Sequence, residues 1–134
     1  MLKTTEDIVK DFPSLFSADL RYPSMLFGVE TGEGWADIIY EACEKIQESL
    51  KSLSPEAQKD FHFTQIKEKF GGLRIYCSWY TDAIDQIIKE ATIKASKTCE
   101  VTGEKGKVRE INGWYTCLCD RLYKESIKKS KDDV

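Results

Sequence analysis

The sequence predicts an α+β fold, with helices packed on a small antiparallel β-hairpin or sheet. Three observations predict it. Two long stretches carry apolar residues at helical spacing, residues 35–53 and 84–95. Between them, two alternating runs flank a Gly-Gly pair at 71–72. After residue 98 the chain breaks into short glycine-punctuated segments with three of its five cysteines. With 134 residues, 41% hydrophobic and rich in Phe, Tyr and Trp, the chain can bury one core. A single domain is expected over 1–134: an α+β core over 1–98, a loop-rich module over 99–127 and a frayed tail over 128–134.

The elements follow in order. Thr4 and Thr5 before Glu6-Asp7, with apolar residues at 8, 9, 12, 15 and 16, read as a short capped helix broken by Pro13. Residues 17–34, with Pro23 and three glycines, read as irregular. The helix from Trp35 carries apolar residues at 35, 38, 39, 42, 43, 46, 50 and 53 and is stopped at Ser54-Pro55. Glu41, Glu44 and Glu48, interspersed with lysines, make its outer face an ordinary solvated surface. The hairpin is expected over 61–69 and 73–80, with a one-residue uncertainty of register at the turn. A helix then starts near Asp82 as its cap, and a last helix spans about Asp120 to Lys129.

The net charge of −3 gives no global pull towards nucleic acid or an anionic membrane. No apolar run approaches the ~20 residues of a bilayer span, so no membrane partner is expected. The N-terminus lacks the apolar stretch of a signal peptide, which points to the cytoplasm. There, an odd count of cysteines (43, 77, 99, 117 and 119) reads as free thiols or metal ligands rather than disulfides.

The candidate binding set centres on the hairpin. Lys67, Lys69 and Arg74 can share a face with Tyr76 and Tyr80, and cations interleaved with aromatics bind phosphates and stack bases. The amides of Gly71 and Gly72 can approach an anion. The plain alternative is a solvated strand face partly neutralised by Glu68. Trp35, after Gly32-Glu-Gly34, joins the set, although that turn reads first as a device for packing Trp35 into the core. His62, the one histidine, lies between Phe61 and Phe63 and reads as structural rather than catalytic. No complete acid–base or nucleophile set appears, so an enzyme is the last of the readings.

Cys99, Cys117 and Cys119 are the residues here that could hold zinc, with an outside donor. Thr102 and Leu122 stand where a knuckle's remaining ligands belong, and Cys-x-Cys is a weak zinc signal. The expectation is therefore no metal and no cofactor, with buried cysteines acting as small hydrophobes.

Asp11-Phe-Pro-Ser-Leu-Phe16, Gly32-Glu-Gly-Trp35, Gln65-Ile-Lys-Glu-Lys-Phe-Gly-Gly-Leu-Arg-Ile-Tyr76, Cys99-Glu-Val-Thr-Gly103 and Gly113-Trp-Tyr-Thr-Cys-Leu-Cys-Asp120 together resemble an uncharacterised family of small phage, prophage and bacterial proteins. The resemblance covers most of the chain. It implies a C-terminal zinc-knuckle-like segment, degenerate here because only Cys99 and Cys119 match its four ligand positions. It brings no activity with it. Phage encoding would suit a non-enzymatic binding protein, such as a counter-defence or host-takeover inhibitor acting on a host protein or small ligand. A nucleic-acid-binding accessory protein is the alternative.

Overall fold

A computed structural model describes residues 3–16 and 28–132, and the side chains of all but 130–132. The irregular segment expected over 17–34 lies outside the described residues as far as 27. The fold is α+β, with five helices, a three-stranded sheet and a two-stranded ribbon among the described residues.

Helix α1 (Thr5–Asp11) begins with a reciprocal cap. Thr4 Oγ1 accepts from the Asp7 N–H at 3.2 Å, and Asp7 Oδ2 accepts from the Thr4 N–H at 3.0 Å. Pro13 then opens a 3-10 turn over Pro13–Leu15. The stretch 28–34 holds a strand that the sequence does not announce, β1 (Val29–Glu30). At two residues it is too short for alternation to show. Helix α2 (Ala36–Leu50) buries Ala36, Ile39, Ala42, Cys43, Ile46 and Leu50, the stripe its spacing predicts. Ser54-Pro55 lies beyond it but has a second role. Ser54 Oγ accepts from Ala57 N–H, and Pro55 is the first residue of helix α3 (Pro55–Asp60).

The main hairpin is β2 (Phe63–Lys69) and β3 (Gly72–Cys77). Its turn is Phe70-Gly71, one residue earlier than Gly-Gly suggests, and Gly72 pairs with Lys69 inside the ladder. Strand β1 pairs with β2 in parallel, so the sheet is mixed rather than wholly antiparallel. Burial alternates along β3: Leu73, Ile75 and Cys77 point inwards, Arg74 and Tyr76 outwards. Helix α4 (Asp82–Ala95) is capped by Thr81, not Asp82, with Thr81 Oγ1 accepting from Ile84 N–H at 3.1 Å. It lies against α2 and β3 and buries Ile84, Ile88, Ala91 and Ala95.

The segment after residue 98 is more regular than expected. It forms a hairpin of β4 (Lys107–Ile111) and β5 (Trp114–Leu118) around Asn112-Gly113. Helix α5 (Asp120–Asp132) follows, so 128–132 continue a helix where a frayed tail was expected. Cys117 belongs to the main core. Cys99, Leu118 and Cys119 form a satellite cluster with Ile111, Leu122 and Tyr123.

Glycines fasten this segment to the rest. Gly34 N–H donates to the Glu100 carbonyl at 2.7 Å, and Gly32 N–H donates to Glu100 Oε2 at 2.8 Å. A Cβ on Gly34 would lie 2.1 Å from the Cys99 carbonyl oxygen. Only glycine permits that approach of backbone to backbone. Among the described residues, no helix is long and apolar enough to cross a membrane.

Candidate functional site

The register of β2 and β3 sorts the candidate residues by face. Lys67 lies opposite Arg74, Lys69 opposite Gly72, and Gln65 opposite Tyr76. Directly paired residues share a face, so Lys67, Lys69, Arg74 and Tyr76 stand together on the side away from Ile66, Leu73 and Ile75. Tyr80 lies beyond the strand, where its hydroxyl oxygen accepts from Cys77 N–H at 2.9 Å. In the neighbouring strand, Glu30 is in register with Lys67.

Three expectations need correction. Trp35 is fully buried, and its indole Nε1–H donates to the Thr98 carbonyl at 2.8 Å, so it is a core residue and not part of a surface. The Gly71 amide does not await an anion: it donates to Glu68 Oε2 at 2.8 Å. Gly72 is part of the ladder opposite Lys69 rather than of a turn cradle.

The lysines of α2 and α4 are matched by carboxylates. Lys45 and Lys94 both reach Glu41 Oε1, at 3.0 and 3.2 Å. Lys51 pairs with Glu48 and Lys89 with Asp85, each at 2.9 Å. Among the described residues no ion pair engages Lys67, Lys69 or Arg74. Lys69 Nζ instead lies 5.5 Å from the centroid of the Phe70 ring.

The aromatic part of the site escaped the sequence reading. Both hairpins close with two-residue loops whose residues have positive φ: 53° and 80° at Phe70-Gly71, 50° and 83° at Asn112-Gly113. That geometry matches the right-handed strand twist. The turns project Phe70 and Trp114 into solvent at 67% and 78% exposure, and Tyr115 beside Trp114 is 49% exposed. Gly71 lets the two hairpins approach closely, because a Cβ there would lie 2.9 Å from Val108 Cγ1. Between the tips is a groove of about 480 Å³ lined by Glu68, Lys69, Phe70, Gly113, Trp114 and Tyr115. Asn-Gly between two short runs was the available signal for the second hairpin. Nothing in the sequence shows that its tip abuts the first.

Two of the three candidate cysteines hydrogen-bond within the fold. Cys117 Sγ donates towards the main core, to the Thr98 carbonyl at 3.1 Å and the Ala95 carbonyl at 3.4 Å. Cys99 Sγ accepts from Thr102 N–H at 3.4 Å. Among the described residues, no group of three or more His, Cys, Asp or Glu side chains is arranged to hold a metal ion. At the other two knuckle positions, Thr102 Oγ1 accepts from Glu104 N–H and Leu122 packs on the apolar cluster, so the donor set does not fit zinc.

Burial raises the thiols of Cys43, Cys77 and Cys117, that of Cys77 to about 12. At Cys99 burial also pushes upwards, but hydrogen bonds from Thr102 and from the amides of Cys119 and Val101 outweigh it and lower the thiol.

His62 is tied down by backbone contacts. Its N–H donates to Ser78 Oγ, its carbonyl accepts from Ser78 N–H, and its Nδ1 lies 3.0 Å from the Asp60 carbonyl. These contacts fix the entry to β2. Comparison of the chain with protein-family models, with curated proteins and with solved structures returned no match.

Proposed function

We propose that this protein is a non-enzymatic binding protein that captures a host protein or small ligand across its two hairpin tips. Its action would be that of a counter-defence or host-takeover inhibitor in the host cytoplasm, as the family resemblance suggests. One observation carries the binding reading: Phe70, Trp114 and Tyr115 converge on one groove although two separate hairpins supply them. Exposed aromatics clustered around a groove, with basic neighbours, are what interface anchors are made of. The backbone adds support. Phe70 holds φ at 53°, a conformation that Asn or Gly adopts easily and a bulky side chain does not. Such strain collects where a side chain must be presented.

Affinity capture from bacterial lysate tests the reading. The wild-type protein should retain a partner that the Phe70→Asn/Trp114→Ala double variant loses, with both proteins folded by circular dichroism. Recovery of the same proteins by both would remove the groove as the binding surface.

Lys67, Lys69 and Arg74, without an ion pair among the described residues and beside exposed aromatics, favour nucleic acid as the second reading. It requires affinity that falls steeply with added salt. A flat salt response would remove it.

A further inference from the structure

We infer that the groove between the hairpin tips accepts an acidic, apolar-anchored extended segment of a partner protein. This rests on the binding reading above and names the chemistry of the partner.

Charge is the first argument. The surface of α2 and α4 pairs its lysines with Glu41, Glu48 and Asp85. Among the described residues, the cations of the hairpin face have no such pairs. Lys67 and Arg74 stand directly opposite one another, and like charges so placed repel. Lys69 continues the row towards the groove. Among the described residues, Glu30, beside Lys67, is the one carboxylate in register with this row. Glu68 belongs to the other face of the strand, opposite Leu73, with its carboxylate on the Gly71 amide. The face therefore carries an excess of positive charge in a chain whose net charge is −3. Carboxylates brought by a partner would relieve the Lys67–Arg74 repulsion, and that complementarity selects an acidic occupant.

Geometry is the second. Lys67 and Lys69 are alternate residues of one strand, about 7 Å apart along it. An extended segment with Asp or Glu at alternate positions repeats at that spacing. An apolar side chain at the next alternate position lies on the same side of the segment and reaches the groove beyond Lys69, where Phe70, Trp114 and Tyr115 provide the apolar walls. A second copy of this chain is a poor occupant, since a symmetric contact would set the cationic row against itself. Nucleic acid would bring a continuous line of phosphates past Glu68, which lines the groove, whereas a segment acidic only along the cationic row presents an apolar residue there.

The probes are two arrays of labelled hexapeptides, one with Asp or Glu at two alternate positions and Leu, Phe or Trp at the next alternate position, the other with Lys or Arg in place of the acids. A twelve-residue oligothymidylate is the third probe. Fluorescence anisotropy with the full chain should show binding to the acidic array and not to the basic one. Trp114→Ala and, separately, Lys69→Glu/Arg74→Glu should each weaken it about tenfold or more. All three positions are on the surface, so unchanged thermal melts are expected and identify folded variants.

Tighter binding of the basic array or the oligothymidylate would overturn the inference. So would acidic binding indifferent to both variants, or no acidic binding at all. If the acidic array fails while lysate capture still depends on Phe70 and Trp114, the groove remains a binding site and only its acidic preference is wrong.

Discussion

The two hairpins have the same turn and different residues in it. At the first turn position the second hairpin has Asn112, which tolerates positive φ because its short side chain bonds locally. The first has Phe70 there, at nearly the same φ. Both turns place glycine second, at Gly71 and Gly113. Folding alone would favour Asn-Gly in both. The difference separates a turn residue that serves the hairpin from one that serves a surface. A second difference lies in how the hairpins are held. The β2–β3 pair buries Phe63, Ile66, Leu73, Ile75 and Cys77 against the core, whereas the β4–β5 pair sends Cys117 into that core and otherwise relies on a satellite cluster, glycine contacts and Arg109.

The largest expected effect comes from breaking the attachment of the second hairpin. Gly34→Ala would place Cβ 2.1 Å from the Cys99 carbonyl oxygen, a backbone atom with no side-chain freedom to yield. A loss of about 3 kcal/mol or more is expected in urea unfolding. Gly113→Ala gives the contrast: no neighbour lies within 4 Å, and only its positive φ of 83° opposes a side chain. That change should cost about 1–2 kcal/mol. Equal losses at the two positions would show that crowding at Gly34 relaxes and that the hairpins are held alike.

Arg109 is next. It donates through Nε to the Leu118 carbonyl at 3.3 Å, lies 4.4 Å from the centroid of the Tyr123 ring, and bonds Asp120 at the start of α5. Its side chain is only 9% exposed. Arg109→Ala should destabilise by about 2 kcal/mol, through lost packing and an unmatched carbonyl. Hydrogen exchange should show the loss concentrated in β4, β5 and α5, with β2 and β3 protected as before. Uniform deprotection would mean that the two hairpins unfold as one unit.

How much of this was legible depends on burial pattern. The α2 stripe and the β3 alternation are visible because each element has one buried face and one wet face. Strands β4 and β5 have no such contrast: Val108, Trp114 and Tyr115 are apolar and exposed, while Cys117 and Leu118 are apolar and buried. The cationic row of the candidate site was readable from alternation alone. Its aromatic half was not, since the meeting of Phe70 with Trp114 depends on the contact of Gly71 with Val108, 37 residues apart by number. Trp35 carried two readings, because a tryptophan after glycines looks the same whether it anchors a core or a surface, and its full burial bears out the core one.

Phe70→Asn tests the turn comparison directly. It removes an exposed ring and gives the first hairpin the residue of the second. We expect a gain of about 1 kcal/mol from relieved backbone strain, read as a melting temperature higher by roughly 3 °C, together with loss of partner capture. A destabilised variant would mean that the Phe70 ring contributes to folding and that the two turns are equivalent in purpose.

The smallest effects are electrostatic, and two carboxylates that fasten the second hairpin should respond to pH with opposite signs. Arg109 holds Asp120 below its ordinary value of 3.8 by hydrogen bond and charge. Its folded pKa is depressed, so its contribution is present above the unfolded value and is lost as pH falls through the folded one. Burial raises Glu100 above its ordinary value of 4.5, with the Gly32 amide opposing and Glu68 adding to the rise. Its contribution is full below the unfolded value and is lost as pH rises through the folded one. Asp120→Asn should therefore flatten the loss of stability below about pH 4. Glu100→Gln keeps an oxygen for the Gly32 amide and should gain on the wild type as pH rises from about 4.5 towards neutrality. Both variants can be followed by urea unfolding across that range. If both curves run parallel to the wild type, neither carboxylate couples the attachment of the second hairpin to protonation, and its hold is one of glycine contacts and packing alone.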